Sequence, residues 1–318
     1  VVMPSWVGDI VMATPVLRAL RADDPGREIV VTVRPGLESL LAGAPFVDSV
    51  QTASLRGTLG PLSDARRLSK LAETVLLLPN SFRAALFARF SGARRRIGFG
   101  RDGRGLLLTD SITPRSGTGP TTTLEDYVEL VETAFEISIE DRSLELGTTP
   151  EEDHAADAML EGTTEPLIIF NPGANREDKR WPAARFSELA DALRDRFTCT
   201  IMVNGSPAER DLVRDVIEHA RPGLINLPER GSTLGSLKAL IKRSSLLVSN
   251  DTGPRHLAAA FGTPCVALFG PTDRRWTILP DARERHVIAE PFLTDDRVAD
   301  RYPKACRIDR IAVGDVLH

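Results

Sequence analysis

Apolar and β-branched residues gather in short runs along the chain, and each run gives way to a stretch whose apolar positions recur with a helical period. The runs predict strands at residues 1–4, 29–33, 74–78, 167–171, 200–204, 245–249 and 265–269. The periodic stretches predict helices at 14–22, 62–72, 82–90, 124–135, 183–197, 208–220, 234–241 and 256–261. Strands that are apolar throughout and alternate with helices belong to parallel sheets covered on both faces. The alternation comes in two series, separated by an acidic helical segment and the soft stretch 146–153. A boundary near residue 160 is expected, giving two Rossmann-like α/β domains, 1–160 and 161–318, that face each other across a cleft.

The first passage from strand to helix holds a carboxylate. PSWVGDIVMATPVLRAL, residues 4–20, places Gly8-Asp9 just before an amphipathic run. Asp is a favoured helix N-cap, and negative charge in a first turn suits the helix dipole. The same position lies where an open α/β sheet forms its ligand crevice, beyond the carboxyl end of a strand. Both readings stand at this point. Val1-Val2-Met3 is so short a strand that a few residues are expected to precede it.

The chain has 318 residues, 42% of them hydrophobic, and a net charge of -4. That is enough chain for two cores, and the charge gives no reason to expect nucleic acid as a partner. Cys199, Cys265 and Cys306 are far apart, and two of them lie in apolar runs, so free buried thiols are expected rather than disulfides or a metal site. The histidines form no ligand-spaced pair. No secretory leader is visible, nor an apolar run of about 18 residues, so the cytoplasm is the expected compartment. The charge is uneven, however. From Arg56 to Arg115 there are twelve Lys and Arg against four Asp and Glu, followed by an acidic stretch over 125–161. Such a basic run is either a solvated face or a surface for an anionic partner or membrane.

Three segments carry candidate chemistry. In IIFNPGANREDKRWP, residues 168–182, a strand ends in Asn171-Pro172-Gly173 and a polar loop with Lys179 and Arg180 leads to the next helix. Gly allows close backbone approach, and Lys can serve as a point charge for phosphate. An ordinary loop with surface bases is the alternative. In SLLVSNDTGPRHLAAAFGTPCVALFGPTD, residues 245–273, a strand runs into Asn250-Asp251-Thr252-Gly253 and a small-residue helix. Backbone N–H groups, a hydroxyl and a helix N-terminus make an anion site suited to a pyrophosphate, with His256 on the first turn. Neither G-x-x-x-x-G-K nor G-x-G-x-x-G is present, which counts against ATPase and dehydrogenase readings. In MVNGSPAERD, residues 202–211, Glu209 stands just beyond a strand, where an acid can accept from ribose hydroxyls or simply supply first-turn charge.

Together these segments resemble glycosyltransferase family 9, the ADP-heptose:lipopolysaccharide heptosyltransferases, in order over most of the chain. PSWVGD resembles the family's amino-terminal motif, and LPNSFRAALFARFSGARRRIGF, residues 78–99, its acceptor-domain segment. NPGANREDKRWP and NDTGPRHLAAAFGTPCVALFGPTD resemble its donor-domain signatures. The PSWVGD and LPNSF spellings are nearer the type II than the type I enzymes. Two features depart from the pattern. Arg255 stands where an apolar residue is common, and the tail, 294–318, carries Cys306 alone where many type II members have several cysteines.

The resemblance implies a GT-B fold, with the first domain binding the acceptor and the second the nucleotide-sugar. It implies inverting transfer from ADP-L-glycero-D-manno-heptose, a co-substrate, with no cofactor and no essential metal. The implied acceptor is heptosyl-Kdo-lipid A of the lipopolysaccharide inner core, reached from the cytoplasm by a chain attached peripherally to the anionic inner-membrane surface. The resemblance gives Asp9 the role of catalytic base. It gives donor phosphate contact to Lys179, which also acts on the leaving group, and to Asp251, Thr252 and Gly253, with His256 nearby. Asn171, Gly173, Ala174 and Asn175 belong to the same donor site, and Glu209 is the ribose acid. Ser5, Trp6, Asn80, Arg83, Arg94, Arg96 and Arg101 are expected on the acceptor side. If 94–96 is a strand, alternate residues face opposite sides, so Arg94 and Arg96 are expected to act together while Arg95 is outward or structural. The alternatives are a family 9 enzyme with another acceptor or nucleotide-sugar, and a sugar-nucleotide-binding protein without turnover.

Overall fold

The computed structural model describes residues 1–55, 60–69, 71–115, 121–288, 292–294 and 297–317. The chain divides into two compact units, Val1–Gly147 with Arg275–Ile278, and Thr148–Arg274 with Leu279–His318. The division falls at Gly147, ahead of the boundary expected near residue 160. Helix α6 (Pro150–Leu160) belongs to the second unit because Glu152 on it pairs with the buried Lys238 at 3.0 Å and the carbonyl of Met159 accepts from Arg230 at 2.5 Å.

The first unit runs α1 (Val7–Met12), α2 (Thr14–Asp23), β1 (Val30–Val33), β2 (Ser49–Thr52), α3 (Gly60–Arg67), β3 (Thr74–Leu76), α4 (Phe82–Phe90), β4 (Arg95–Phe99), β5 (Asp110–Ile112) and α5 (Thr123–Phe135). Its strands form two parallel groups, β1-β2 and β3-β4-β5. The strand expected at 1–4 is reduced to single bridges from Val2 to Thr32 and to Leu77. Those residues nonetheless join the two groups, because Val2 N–H donates to Leu76 at 2.8 Å and Met3 N–H to Thr32 at 2.9 Å. The ladder stops at Pro4, which has no N–H to donate.

The second unit continues from α6 with β6 (Leu167–Asn171), α7 (Ala183–Arg196), β7 (Thr200–Val203), α8 (Arg210–Glu218), β8 (Ile225–Asn226), α9 (Leu234–Arg243), β9 (Leu246–Asn250), α10 (Gly253–Phe261), β10 (Cys265–Phe269), β11 (Glu284–Ile288) and α11 (Val313–Leu317). Its strands make one parallel sheet in the order β11-β10-β9-β6-β7-β8. Numbered within the unit, that is the Rossmann order 3-2-1-4-5-6, whose direction reverses between β6 and β9. β6, β7, β9 and β10 were legible as apolar runs. β4 opens with Arg95-Arg96 and β11 carries Glu284, Arg285 and His286, so neither reads that way.

The core of this unit holds Phe170, Trp181, Phe186, Val203, Val248 and Leu268. The Trp181 indole N–H donates to the Ile311 carbonyl at 3.0 Å, and the ring meets Phe186 edge-on at 5.0 Å. A buried indole with its N–H satisfied is a strong anchor. It pins the far end of the loop that leaves β6. Cys199, Cys265 and Cys306 are all free.

Candidate active site

In open α/β sheets, ligands bind beyond the carboxyl ends of strands where the strand order reverses. Here that point lies between the ends of β6 and β9. Three asparagines tie the strand ends together. Asn171 at the end of β6 donates to Thr252 Oγ1 at 3.1 Å and accepts from Asn204 Nδ2, just past β7, at 2.7 Å. Asn250 at the end of β9 donates to the Pro172 carbonyl at 2.8 Å and accepts from the Trp181 N–H at 3.2 Å. All three are buried, so each bond holds loop geometry that water would otherwise loosen.

Helix α10 starts at this point. Thr252 is its N-cap, but the hydroxyl turns back to the Asn250 carbonyl at 3.3 Å and does not cap the first turn. The positive end of the helix is thus available to an anion. Beside it, Asp251 lies between two cations: Oδ2 is 3.1 Å from Lys179 Nζ and Oδ1 is 3.1 Å from Arg255 Nη1. Burial pushes the Asp251 carboxyl up, but Lys179 and Arg255 outweigh it and hold the group below the usual carboxylate range. Arg255 is fully buried and also grips Glu284 with two bonds of 2.7 Å. Glu284 meets His286 Nε2 at 2.6 Å; burial opposes its ionisation, but the bonds from His286 and Arg255 bring it to about 2. Arg255 is thus part of the site's frame, where the sequence showed only a departure from the family pattern.

His256 is buried, and burial followed by the nearby Arg255 lowers it to about 4. It is therefore a neutral imidazole near neutral pH. Its Nδ1–H donates to the Thr252 carbonyl at 3.2 Å, which leaves Nε2 as an acceptor with no partner among the described residues. Glu209 closes a capping box on Ser206, accepting its N–H at 2.8 Å and its hydroxyl at 2.7 Å. The carboxylate also stands against Gly173, where an added Cβ would fall 2.2 Å from Oε1. A larger residue at 173 would displace the Glu209 carboxylate. The Ala174 carbonyl accepts from Arg180 at 3.1 and 2.9 Å, so Arg180 shapes the loop, while Asn175 is exposed. The donor-side residues expected from sequence thus come together in the second unit, with Asn175 at the edge.

Asp9 sits in the first unit as the third residue of α1, where Trp6 is the N-cap. It is therefore not the cap, and it lies inside a helix rather than at a strand end. Its carboxylate makes no hydrogen bond or ion pair among the described residues, and burial raises it to about 6. The phenol of Tyr127 on α5 is pushed well up by burial and by the Asp9 charge.

Of the acceptor-side residues, Ser5, Trp6, Asn80, Arg83, Arg94 and Arg101 are exposed. Asn80 accepts from the buried Arg104 at 2.6 Å, and Arg101 lies over the Phe99 ring at 5.4 Å. Arg95 is structural, bonding Asp110 at 2.9 Å and the Ala134 carbonyl at 2.7 Å. Arg94 and Arg96, expected to act together, have different surroundings. Arg96 places its guanidinium on the carbonyls of Leu107 and Ala93 at 3.0 and 2.8 Å, whereas Arg94 is exposed, with Glu73 3.9 Å away.

The sequence pattern of glycosyltransferase family 9 (heptosyltransferase) matches residues 63–298. The chain belongs to that family. The lipooligosaccharide heptosyltransferase 2 of Haemophilus ducreyi is 28% identical over 87% of this chain and 84% of its own. The structure of the Escherichia coli ADP-heptose lipopolysaccharide heptosyltransferase II superposes with a TM-score of 0.81 at 26% identity, covering 99% of this chain and 95% of that one. A family 9 glycosyltransferase from Veillonella parvula gives a TM-score of 0.84 at 22% identity over 99% of this chain and 93% of that one, a likeness of fold. The family 9 chain described here is therefore a glycosyltransferase, and its two α/β units with parallel strands are those of the GT-B class. Sequence reasoning missed Arg255, Glu284 and His286 as a network and Asn250 and Asn204 as ties. The asparagines had a signal, since three apolar runs end in Asn. Glu284 had none, because its partner Arg255 lies 29 positions away in the chain.

Proposed function

We propose that this chain transfers heptose from ADP-heptose to the heptosyl-Kdo-lipid A inner core of lipopolysaccharide, with inversion and without a metal or cofactor. The observation that carries the reading is the anion site of the second unit in a family 9 chain: an open helix N-terminus with Lys179 held against it by Asp251. ADP leaves as a diphosphate whose charge grows in the transition state. Lys179 and the first turn of α10 then act more strongly than in the ground state, which is the condition for speeding the step. Glu209, beside Gly173, takes the ribose, with His256 nearby.

The reaction needs one base. Asp9 takes the proton from the acceptor hydroxyl as its oxygen bonds to the anomeric carbon and the bond from that carbon to the β-phosphate oxygen breaks. An ordinary Asp is a weak base at about 4. Burial brings Asp9 nearer neutrality, where a general base is more effective. Ser5, Trp6, Asn80, Arg83, Arg94 and Arg101 orient the acceptor from the first unit. The enzyme works from the cytoplasm on a lipid-borne acceptor, attached peripherally to the membrane; no helix among the described residues is long and apolar enough to cross one.

The test is a screen of nucleotide-sugars against defined acceptors, read by mass spectrometry. Addition of one heptose to heptosyl-Kdo-lipid A from ADP-heptose, undiminished by a chelator, is the expected result. Transfer only to another acceptor, or donor binding with no product, would overturn the reading.

A further inference from the structure

Helix α4 turns an apolar and basic face outward. Its inward side is fixed, since Ala84, Ala85, Phe87 and Ala88 are buried in the core with Leu77 and Ala65. The outward side is then Phe82, Arg83, Leu86, Arg89 and Phe90, at positions i, i+1, i+4, i+7 and i+8 of one helical face. Phe82 and Phe90 are 55% and 49% exposed, Arg83 and Arg89 are exposed, and α4 has no carboxylate. The tight turn over residues 101–107 packs against α4. It presents Leu106 at 95% exposure. This exposure is not looseness. In the same turn the buried Arg104 bonds the carbonyls of Phe99 and Pro79 at 2.6 and 2.5 Å, and Asn80 at 2.6 Å. A buried guanidinium thus braces the turn that holds a leucine in water.

We infer that the outward face of α4 together with Leu106 is a docking surface for an anionic lipid bilayer. It rests on the reading of the acceptor as a lipid and adds the residues that meet the membrane. Charge complementarity selects the occupant. Arg83 and Arg89 lie on the face itself and Arg94, just after the helix, is exposed, in a chain whose net charge is -4. Arg101 opens the turn that packs against α4. Phenylalanine and leucine interspersed with arginine are the composition of an interfacial helix, which buries its apolar side chains at the headgroup boundary while its cations meet lipid phosphates. The membrane would then hold the first unit at the level of the lipid-borne acceptor.

The experiment is co-sedimentation of the full chain with vesicles of phosphatidylethanolamine and phosphatidylglycerol, against vesicles of phosphatidylcholine alone. Wild type is expected on the anionic vesicles, with binding that falls as salt rises. Phe90→Ser with Leu106→Ser should weaken partition more than tenfold through lost apolar burial. Arg89→Gln should weaken it about fivefold, from about 1 kcal/mol per basic residue near such a surface. Leu106→Ser alone covers the case in which Phe90→Ser disturbs folding, because Leu106 makes almost no folding contact. Transfer to a short-chain, water-soluble acceptor should be unchanged in all three, which separates failure of this inference from failure of the proposed reaction. Equal partition of wild type and variants, or of wild type onto anionic and neutral vesicles, would overturn the inference. So would a dimer of the wild type in solution that Leu106→Ser breaks, which would make the face a protein interface.

Discussion

Asp9 and Asp251 are both shielded from water, and their surroundings drive them in opposite directions. Asp9 in the first unit has no partner among the described residues, and burial raises it to about 6. Asp251 in the second unit is more deeply buried, yet Lys179 and Arg255 keep it below the ordinary range. Desolvation penalises the charged form of a carboxyl, whereas two cations within about 4–6 Å reverse the effect. The contrast divides the labour of the proposed reaction. A group that must take up a proton is left bare, while a group that must stay charged and hold a lysine in place is clamped from both sides.

The strongest way to break the contrast is to remove the bare carboxylate. Asp9→Asn keeps the shape and abolishes the base, so the transfer rate should fall about 10²–10⁴-fold. ADP-heptose affinity, measured by calorimetry, should persist. A normal single-turnover rate with weakened donor binding would assign Asp9 to the wrong side of the reaction.

Next comes the clamp. Arg255→Leu leaves Asp251 and Glu284 buried without their shared cation, and breaking such a pair typically costs about 3–5 kcal/mol. Denaturant unfolding should show a loss of that order, and the double variant Arg255→Leu with Glu284→Leu should recover part of it. Lys179→Ala should be milder for the fold and specific to the donor. Losing one charged hydrogen bond is worth about 1.5–3 kcal/mol, or roughly ten- to hundredfold in affinity and rate. Unchanged binding would show that the lysine stays with Asp251 when the donor is present.

The smallest effect sharpens the comparison. Asp9 is at about 6 in the folded chain against a reference of 3.8. The folded state therefore holds that proton more tightly than the unfolded one. The ionised carboxylate costs stability above about pH 6, and the cost fades as pH falls toward 4. Asp9→Asn should raise stability at pH 7.5 by roughly 2 kcal/mol and give a shrinking advantage in thermal melts toward pH 5. An equal advantage at both values would mean that the gain comes from packing.

The two sites differed in how much of them could be read in the sequence. The donor side was legible because its residues lie at the ends of apolar parallel strands, where periodicity fixes both the strand and the loop that follows. Asn171, Gly173, Lys179, Asp251, Thr252 and Gly253 were named on that basis and lie together at the strand switch. Glu284 was not legible, since its partner Arg255 is brought to it only by the pairing of neighbouring strands. In the first unit the strands are short and β4 opens with two arginines, so the pattern was weaker. Asp9 could be located, but helix α1 was hidden in a six-residue stretch that reads as a strand running into a turn. The basic run also misled: its charges count alike in sequence, yet Arg95, Arg96 and Arg104 are spent on carbonyls or a carboxylate while Arg94 is exposed and meets only Glu73, at 3.9 Å, among the described residues.

The most direct test of Asp9 as the base is the pH dependence of kcat for transfer from ADP-heptose to heptosyl-Kdo-lipid A by the wild-type enzyme. The account predicts a rate that rises with pH through an apparent pKa near 6 and then levels, the rise disappearing from the residual activity of Asp9→Asn. A rise centred near 4, or a flat profile from pH 5 upward, would contradict it.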